Sequence, residues 1–285
     1  MNRRAILGIA LAVSTIAAAN GQQNASSAPD MSLEEINAAV VSARAATAAK
    51  HFADAEALML KATAAKPDLL VPRLELGLAQ IGEKKYPEAE ATFKMVLGID
   101  LESQKLAHSD DFYQTGNSPE GEATHATRNT NGGRVLATQN RTPEIKGVAY
   151  SSLGEIYVHA GKVAEAQAAF DTAVKANPTA AALYYRNETI FFYQVGNSDA
   201  QLAAAEKALA VDPTRPALYY FKGQALVSKA TVDPQTQKMT LPPGCAESLQ
   251  HYLELEPNGQ FAAEVKSVLT AAGQPTKAAG KGSKG

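Results

Sequence analysis

Apolar, small and aromatic residues recur along this chain in a fixed arrangement that is most complete over residues 147–180. At set offsets within this stretch stand Tyr150, Leu153, Gly154, Tyr157, Ala166, Phe170, Ala173 and Pro178. Gly154 and Ala166 are small enough for two helices to approach closely, and a large aromatic such as Phe170 fills the space beside the contact. Because proline lacks a backbone N–H group, Pro178 ends the second helix. The stretch therefore predicts a pair of antiparallel helices.

Two further copies of the arrangement precede this stretch. The range Leu70–Ser103 repeats it with Leu76, Gly77, Tyr86, Ala89 and Phe93. The range Ile36–Leu69 keeps Ala43, Ala55, Ala62 and Pro67 but lacks the large aromatics at the corresponding positions. Weak terminal copies are expected, because the end of a stack of repeats has solvent rather than a neighbour on one side.

Two more copies and a final helix follow the best-matched stretch. The fourth copy is marked by Tyr185, Phe192, Gly196, Ala208 and Pro213, and the fifth begins with Pro216, Tyr219, Gly223 and Leu226. The segment Thr231–Gly244 is inserted before the second helix of the fifth copy, which runs through Cys245, Leu249 and Tyr252 to Pro257. This inserted segment is interpreted as a plain connector that ends in a rigid Pro-Pro-Gly turn. Phe261, Val265, Val268 and Leu269 have the spacing of an amphipathic capping helix.

The 34-residue period and the residues quoted for it resemble the tetratricopeptide-repeat (TPR) family. The resemblance covers about residues 36–272, apart from one insertion, and is specific for fold but not for function. It implies an all-α solenoid, a right-handed superhelix of antiparallel helix pairs, with repeats one and two over 32–103 and repeats three to five with the capping helix over 143–272. Proteins of this family are typically adaptors that bind peptides or proteins. Some hold a C-terminal carboxylate with a fixed Lys/Asn/Arg set, which this sequence does not reproduce.

Four segments fall outside the repeats. Residues 1–21 have the basic, apolar and small-residue regions of a signal peptide, which predicts a periplasmic or secreted protein; the pair Arg3-Arg4 leaves a twin-arginine route open. The apolar run is shorter than the ~20 residues that a membrane helix needs, so no stable membrane insertion is expected after cleavage. Polar composition predicts a disordered linker over 22–31, a mobile insertion over 104–142 and a disordered basic tail over 273–285.

Composition and motifs give no indication of chemistry. The formal charge of −2 argues against a nucleic-acid partner. The five histidines, His51, His108, His125, His159 and His251, lack the spacing of a zinc site, and no phosphate-binding loop or nucleophile elbow occurs. The single Cys245 is interpreted as a small buried residue. We therefore expect no metal site, no cofactor, no catalytic residue and no enzymatic activity.

A binding groove is the remaining candidate site, because the first helix of each pair lines the concave face of such a solenoid. Residues beside the buried positions are expected to point into the groove from repeats three to five: Ser151, Glu155, His159, Arg186, Asn187, Ile190, Gln194, Tyr220, Phe221 and Gln224. We predict an exported adaptor for a protein or peptide partner in bacterial cell-envelope assembly. The alternative is a periplasmic carrier or sensor of a small ligand or glycan. Exposed aromatics in an open groove would favour the adaptor, and a closed polar pocket the carrier.

Glu188 is the residue that fits the repeat least. It stands where the repeat has a buried apolar residue, and an unpaired buried charge is costly. Either the helix is rotated, so that Tyr184 and Phe191 are in the core, or Glu188 is paired, with Arg186 or Tyr219 as candidates. Pairing with Glu188 would also give Arg186 a structural rather than a binding role.

Overall fold

The computed structural model describes residues 30–98 and 142–276, which form eleven α-helices and one short hairpin. The helices are α1 (Leu33–Ala48), α2 (Phe52–Ala65), α3 (Leu70–Gly82), α4 (Tyr86–Gly98), α5 (Thr142–His159), α6 (Val163–Ala176), α7 (Ala181–Gln194), α8 (Ser198–Val211), α9 (Pro216–Val227), α10 (Cys245–Leu255) and α11 (Ala262–Ala271). A 3₁₀ turn over Pro178–Ala180 precedes α7, and the strands β1 (Thr231–Val232) and β2 (Met239–Thr240) lie between α9 and α10.

Consecutive helices pack as five antiparallel pairs that stack in sequence order, with α11 closing the last pair. The first helices of neighbouring pairs, α1, α3, α5, α7 and α9, also contact one another, whereas the second helices of neighbouring pairs touch far less. A stack that is tighter on one side curves toward that side, so the first helices line its concave face. The predicted all-α tetratricopeptide-type solenoid with a C-terminal capping helix is confirmed.

The glycines of the repeat allow the two helices of a pair to approach closely. A Cβ atom on Gly77 would lie 2.7 Å from Phe93 Cζ, and one on Gly154 would lie 2.6 Å from Phe170 Cε2. In repeat four the sizes are reversed, because Thr189 takes the position of the glycine and Ala205 that of the phenylalanine, and both are buried. A larger residue in place of the glycine thus occurs together with a smaller residue in place of the phenylalanine.

The N-terminal boundary of the fold lies earlier than predicted. Ser32 caps α1 in a capping box with Glu35, since the Ser32 hydroxyl accepts from the Glu35 N–H and the Glu35 carboxylate accepts from the Ser32 N–H. Met31, placed by the sequence in the disordered linker 22–31, is buried in the N-terminal core. The predicted signal peptide and the rest of the linker lie outside the described residues.

The C-terminal boundary and the two insertions also differ in detail from the predictions. The N–H of Gln274 donates to the carbonyl of Leu269 after Gly273 at φ +66°, so the chain stays against α11 beyond residue 272. The segment interpreted as a plain connector contains the β1–β2 hairpin, in which Thr231 pairs with Thr240. Helix α5 begins at Thr142, which the sequence placed in the insertion; the insertion up to residue 141 and the tail from 277 lie outside the described residues.

Within the described ranges, no helix is long and apolar enough to span a lipid bilayer.

Candidate ligand-binding groove

The candidate site is the concave surface formed by the inner helices α5 and α7 and by the start of α4. Helix α5 contributes Glu155 and His159 from one face, four residues apart, and α7 contributes Arg186, Asn187 and Gln194. His159 and Gln194 are exposed, while Glu155, Arg186 and Asn187 are half-buried. With the half-buried Ile190, six of the ten residues that the sequence assigned to the groove therefore keep side-chain surface on α5 and α7.

Glu155 carries a carboxyl group that has no counter-charge among the described residues. It makes no ion pair and no hydrogen bond within 30–98 and 142–276. Burial alone raises the pKa of this carboxyl to about 7, because a partly dehydrated carboxylate is less stable than one in water. At neutral pH the groove therefore contains an acid that a bound cation would stabilise in its charged form.

Two stacked rings lie next to Glu155. The ring of Tyr86 at the start of α4 stacks on His159 with 5.0 Å between centroids and 20° between planes, and Phe191 meets His159 edge-on at 6.4 Å. Burial and the nearby Glu155 charge raise the pKa of Tyr86. Burial and the charge of Lys84 lower the pKa of His159. Both rings are therefore neutral at pH 7, beside the acid.

Arg186 is a cation of the groove and likewise has no partner in the part of the chain that the structure describes. Its Nε atom is buried without a hydrogen-bond acceptor, and its guanidinium forms no ion pair with the residues that the structure describes. A buried donor that stays unsatisfied costs roughly 1–3 kcal/mol. The interpretation that Arg186 pairs with Glu188 is therefore wrong.

The repeat explains why Arg186 is unusual. The residue three positions before the small residue of the first helix is Val40, Leu74, Ser151, Arg186 and Tyr220 in repeats one to five. All of these except Arg186 are buried, because the position packs between neighbouring inner helices. A long charged side chain there fills the contact with its hydrocarbon part and directs its head toward the groove.

Tyr220 and Phe221 are core residues, which corrects their assignment to the groove. Tyr220 is 1% exposed, stacks on Phe261 at 3.7 Å and donates its hydroxyl to the Glu264 carboxylate at 3.1 Å. Phe221 is buried in the same C-terminal cluster. The capping helix covers the position that is open in repeat four, so the groove ends before repeat five.

Two polar residues assigned to the groove have internal roles. Gln224 accepts a hydrogen bond from Gln201 Nε2 at 2.9 Å, and Ser151 is buried between helices. The same Gln201 nitrogen also donates to the carbonyl of Phe221 at 2.7 Å. These bonds link α8 to α9, so Gln224 is engaged in holding repeats four and five together.

Glu188 has an ion-pair partner that is neither of those that the sequence suggested, and its two buried carboxylate oxygens accept no hydrogen bond from the described residues. The carboxylate is fully buried and lies 3.7 Å from Lys207 Nζ on α8, which also bonds Asp171 Oδ1 at 2.8 Å. Burial raises the pKa of Glu188 to about 7, against the opposing effect of Lys207. The helix is not rotated to remove it from the core, since Thr189 and Phe192 beside it are buried as well.

Metal-ligand groups and the single cysteine were the remaining candidates for chemistry in the described residues. No group of three or more His, Cys, Asp or Glu side chains there could hold a metal ion. Cys245 is buried, donates its thiol to the Gly223 carbonyl at 3.4 Å, and has its pKa raised to about 11 by burial and by Glu247. Such a thiol is unreactive at neutral pH.

The comparisons with known proteins agree with the helical-repeat architecture. Residues 148–179 match the family model described as Tetratricopeptide repeat. This stretch has the sequence of a tetratricopeptide repeat. It covers the α5–α6 pair, which carries Glu155 and His159. No curated protein sequence matches the chain significantly.

Solved structures with a similar arrangement of helices are only distantly related in sequence. YrrB, described as a TPR protein with an unusual peptide-binding site, is 14% identical, with a TM-score of 0.45 over 80% of this chain and 90% of that one. The yeast Sti1 TPR2AB domain in complex with an Hsp90 peptide is 18% identical, with a TM-score of 0.31 over 84% and 98%. The Cut9–Hcn1 hetero-tetramer of the APC/C is 13% identical, with a TM-score of 0.33 over 79% of this chain and 54% of that one. This chain therefore spans about half the length of that protein. With TM-scores below 0.5, these similarities give no information on what this chain binds.

Proposed function

We propose that this protein is a non-enzymatic adaptor that binds an extended segment of a protein partner in the groove between α5 and α7. The observation that carries the proposal is a pair of groove residues of opposite charge, Glu155 and Arg186, that have no partner within 30–98 and 142–276. Buried polar groups are normally paired, and groups left unpaired on a concave surface are suited to pair with a ligand. A polypeptide supplies both charges and backbone hydrogen-bonding groups over the length of such a groove.

The experiment selects peptides from a random library displayed on phage against the full chain and measures the affinity of one selected peptide by fluorescence anisotropy. Arg186→Ala is expected to weaken binding by ~2 kcal/mol or more, as truncation at an interface hot spot does. The matched control is Arg215→Ala, since Arg215 pairs with Asp212 in the α8–α9 connection, away from the groove. Equal affinity of the wild-type chain and Arg186→Ala would show that the groove is not the binding site.

We further propose that the protein is exported and acts in the bacterial cell envelope. The support is the order of basic, apolar and small residues over 1–21, which is the pattern of a cleaved signal. N-terminal sequencing of the protein recovered from the periplasm or the medium should begin between residues 20 and 22. A chain that retains Met1 and stays in the cytoplasm would refute export without affecting the groove.

A further inference from the structure

We propose that Glu155, Tyr86 and His159 form a subsite for a basic side chain of the bound segment, arginine in preference to lysine. The proposal rests on the proposed function and identifies the partner chemistry at one point of the groove. Three observations support it. Glu155 has no counter-charge among the described residues, a stacked pair of rings is near it, and the equivalent position of repeat one instead forms an internal ion pair.

The acid requires a cation from outside the described structure. Glu155 is half-buried, and none of the lysines and arginines of the described ranges lies within ion-pair distance of its carboxylate. Lys84, at the turn between α3 and α4, affects His159 but not Glu155. A basic side chain of a ligand would supply the missing charge in a site already partly shielded from water, where a charge-assisted hydrogen bond is strong.

The rings favour a cation of planar shape. Tyr86 is half-buried and His159 is exposed, so part of each ring is accessible, and Tyr86 is close enough to Glu155 for its pKa to be raised by the Glu155 charge. Aromatic faces attract cations within about 6 Å of the ring centroid, and a guanidinium group also stacks on them. This protein already contains such contacts, with Lys207 Nζ 5.3 Å from the ring centroid of Tyr185. A guanidinium can stack on the rings and bond both oxygens of Glu155, which an ammonium cannot do.

The comparison with repeat one shows that the position has been left open. Arg44 precedes Ala55 by as many residues as Glu155 precedes Ala166, and Arg44 bonds Glu75 of the next inner helix at 2.5 Å. The residue of repeat four that corresponds to Glu75 is Asn187, which has no charge and makes no bond to Glu155. Of the described residues, none supplies a cation at the position where the repeat geometry would allow one.

The first test determines which residue the subsite selects. Peptides selected on phage against the wild-type chain should share a basic residue at one position, and selection against Glu155→Lys should replace it with an acidic one. For a synthetic peptide carrying the selected arginine, substitution by the neutral isostere citrulline should weaken binding at least tenfold. Against Glu155→Gln the same substitution should change the affinity less than twofold.

The second test uses pH. Tyr86 from α4 is close enough to Glu155 for its pKa to be raised by the Glu155 charge, and His159 follows Glu155 by one turn of α5. No charged group of the described residues shifts the pKa of Glu155, and Lys84 acts on His159 from the α3–α4 turn. With a pKa of about 7, Glu155 is the one expected to change charge between pH 6 and 8, so affinity should rise about tenfold over that range. The matched control is Glu188→Gln, because Glu188 titrates near the same pH on the side of α7 that faces α8. This control should keep the tenfold rise, and Glu155→Gln should lose it.

Each contrary outcome has a distinct meaning. Peptides that lose affinity in Arg186→Ala but show no basic preference would overturn the subsite and leave the groove as the binding site. If no peptide is selected, the proposed function fails and the subsite fails with it. If analytical ultracentrifugation shows a dimer that dissociates in Glu155→Gln, the site binds a second copy of the chain. If arginine preference appears only after residues 104–140 are deleted, the insertion of the chain itself occupies the site. Either of these last two results would contradict the proposal that a separate partner binds there.

Discussion

The contact between repeats one and two and the contact between repeats three and four place a charged residue at the same position and use it differently. In the first, Arg44 Nε bonds Glu75 Oε1 at 2.5 Å, although burial raises the pKa of Glu75 and Arg44 opposes that shift. In the second, Glu155 faces a repeat that offers Asn187 instead of an acid or a base. The repeat geometry fixes where the side chain lies, and the neighbouring residue decides whether its charge serves folding or stays open to a ligand.

The contact between repeats four and five is a third variant, in which the same inner surface is apolar. Ile190 and Tyr193 of α7 pack against the cluster that contains Tyr220 and Phe221. This cluster separates the polar groove from the capping helix. The predictions that follow test this division between stabilising and ligand-facing positions.

The largest effect is expected where the groove ends. Tyr220→Ala removes a fully buried ring that stacks on Phe261, and loss of a large aromatic from a core typically costs about 3–5 kcal/mol. Tyr220→Phe keeps the ring and loses only the bond to Glu264, so it should cost about 1 kcal/mol. Urea unfolding followed by circular dichroism measures both. Unchanged stability of Tyr220→Ala together with lost peptide binding would restore Tyr220 to the groove.

The next effect concerns Glu188 and depends on pH. Its folded-state pKa of about 7 lies above the value in the unfolded chain, so this residue makes the protein less stable as pH rises from about 4.5 to 7. Glu188→Gln should therefore be more stable than the wild-type chain by about 1–3 kcal/mol at pH 8 and nearly equal to it at pH 4.5. Urea midpoints at the two pH values test this, with the exposed Glu247→Gln as a control that should show no difference between them. A variant that is less stable at pH 8 would mean that the ion pair with Lys207 outweighs the burial of Glu188.

A smaller effect separates the two arginines directly. Arg44→Ala leaves the buried Glu75 without its partner and should destabilise the fold by about 1–2 kcal/mol, since the exposed half of Arg44 weakens the pair. Arg186→Ala removes no hydrogen bond or ion pair among the described residues, only the packing of the hydrocarbon part of the side chain, and should cost less than Arg44→Ala, about 0.5–1 kcal/mol. Thermal and urea unfolding of both variants give the comparison. A larger loss for Arg186→Ala would make Arg186 a structural residue.

The smallest effect comes from converting one interface into the other. Glu155→Arg with Asn187→Glu should reproduce between repeats three and four the pair that Arg44 and Glu75 form between repeats one and two. A double-mutant cycle is expected to give a coupling of about 0.5–1 kcal/mol in favour of the double variant. The same variant should no longer bind the arginine peptide. A coupling of zero would show that the two interfaces differ in backbone geometry and not only in residue identity.

The repeat pattern predicted the residues that are engaged within a helix pair. Gly154 and Phe170 meet as expected, and Cys245 is buried at the start of α10. It gave the wrong role to Tyr220 and missed Tyr86, which marks its repeat but also stacks on His159 beside the groove. One signal for this contact was available in the sequence. Tyr86 stands just before Pro87 and begins the helix that follows an inner helix, which places its ring near the end of the neighbouring inner helix.

The sequence by itself determined the helix pairs, their order and the positions that face inward, because the spacing of small, aromatic and prolyl residues acts within one pair and is read locally. Only the tertiary structure decided which polar residues are satisfied. Arg44 bonds Glu75 across a repeat boundary, Glu188 has only a 3.7 Å ion pair with Lys207 and no hydrogen bond, and Glu155 has no partner in the described chain. The reason is that ion pairing and burial depend on the reach and rotation of side chains from different helices, which the spacing of residues along a single helix does not contain.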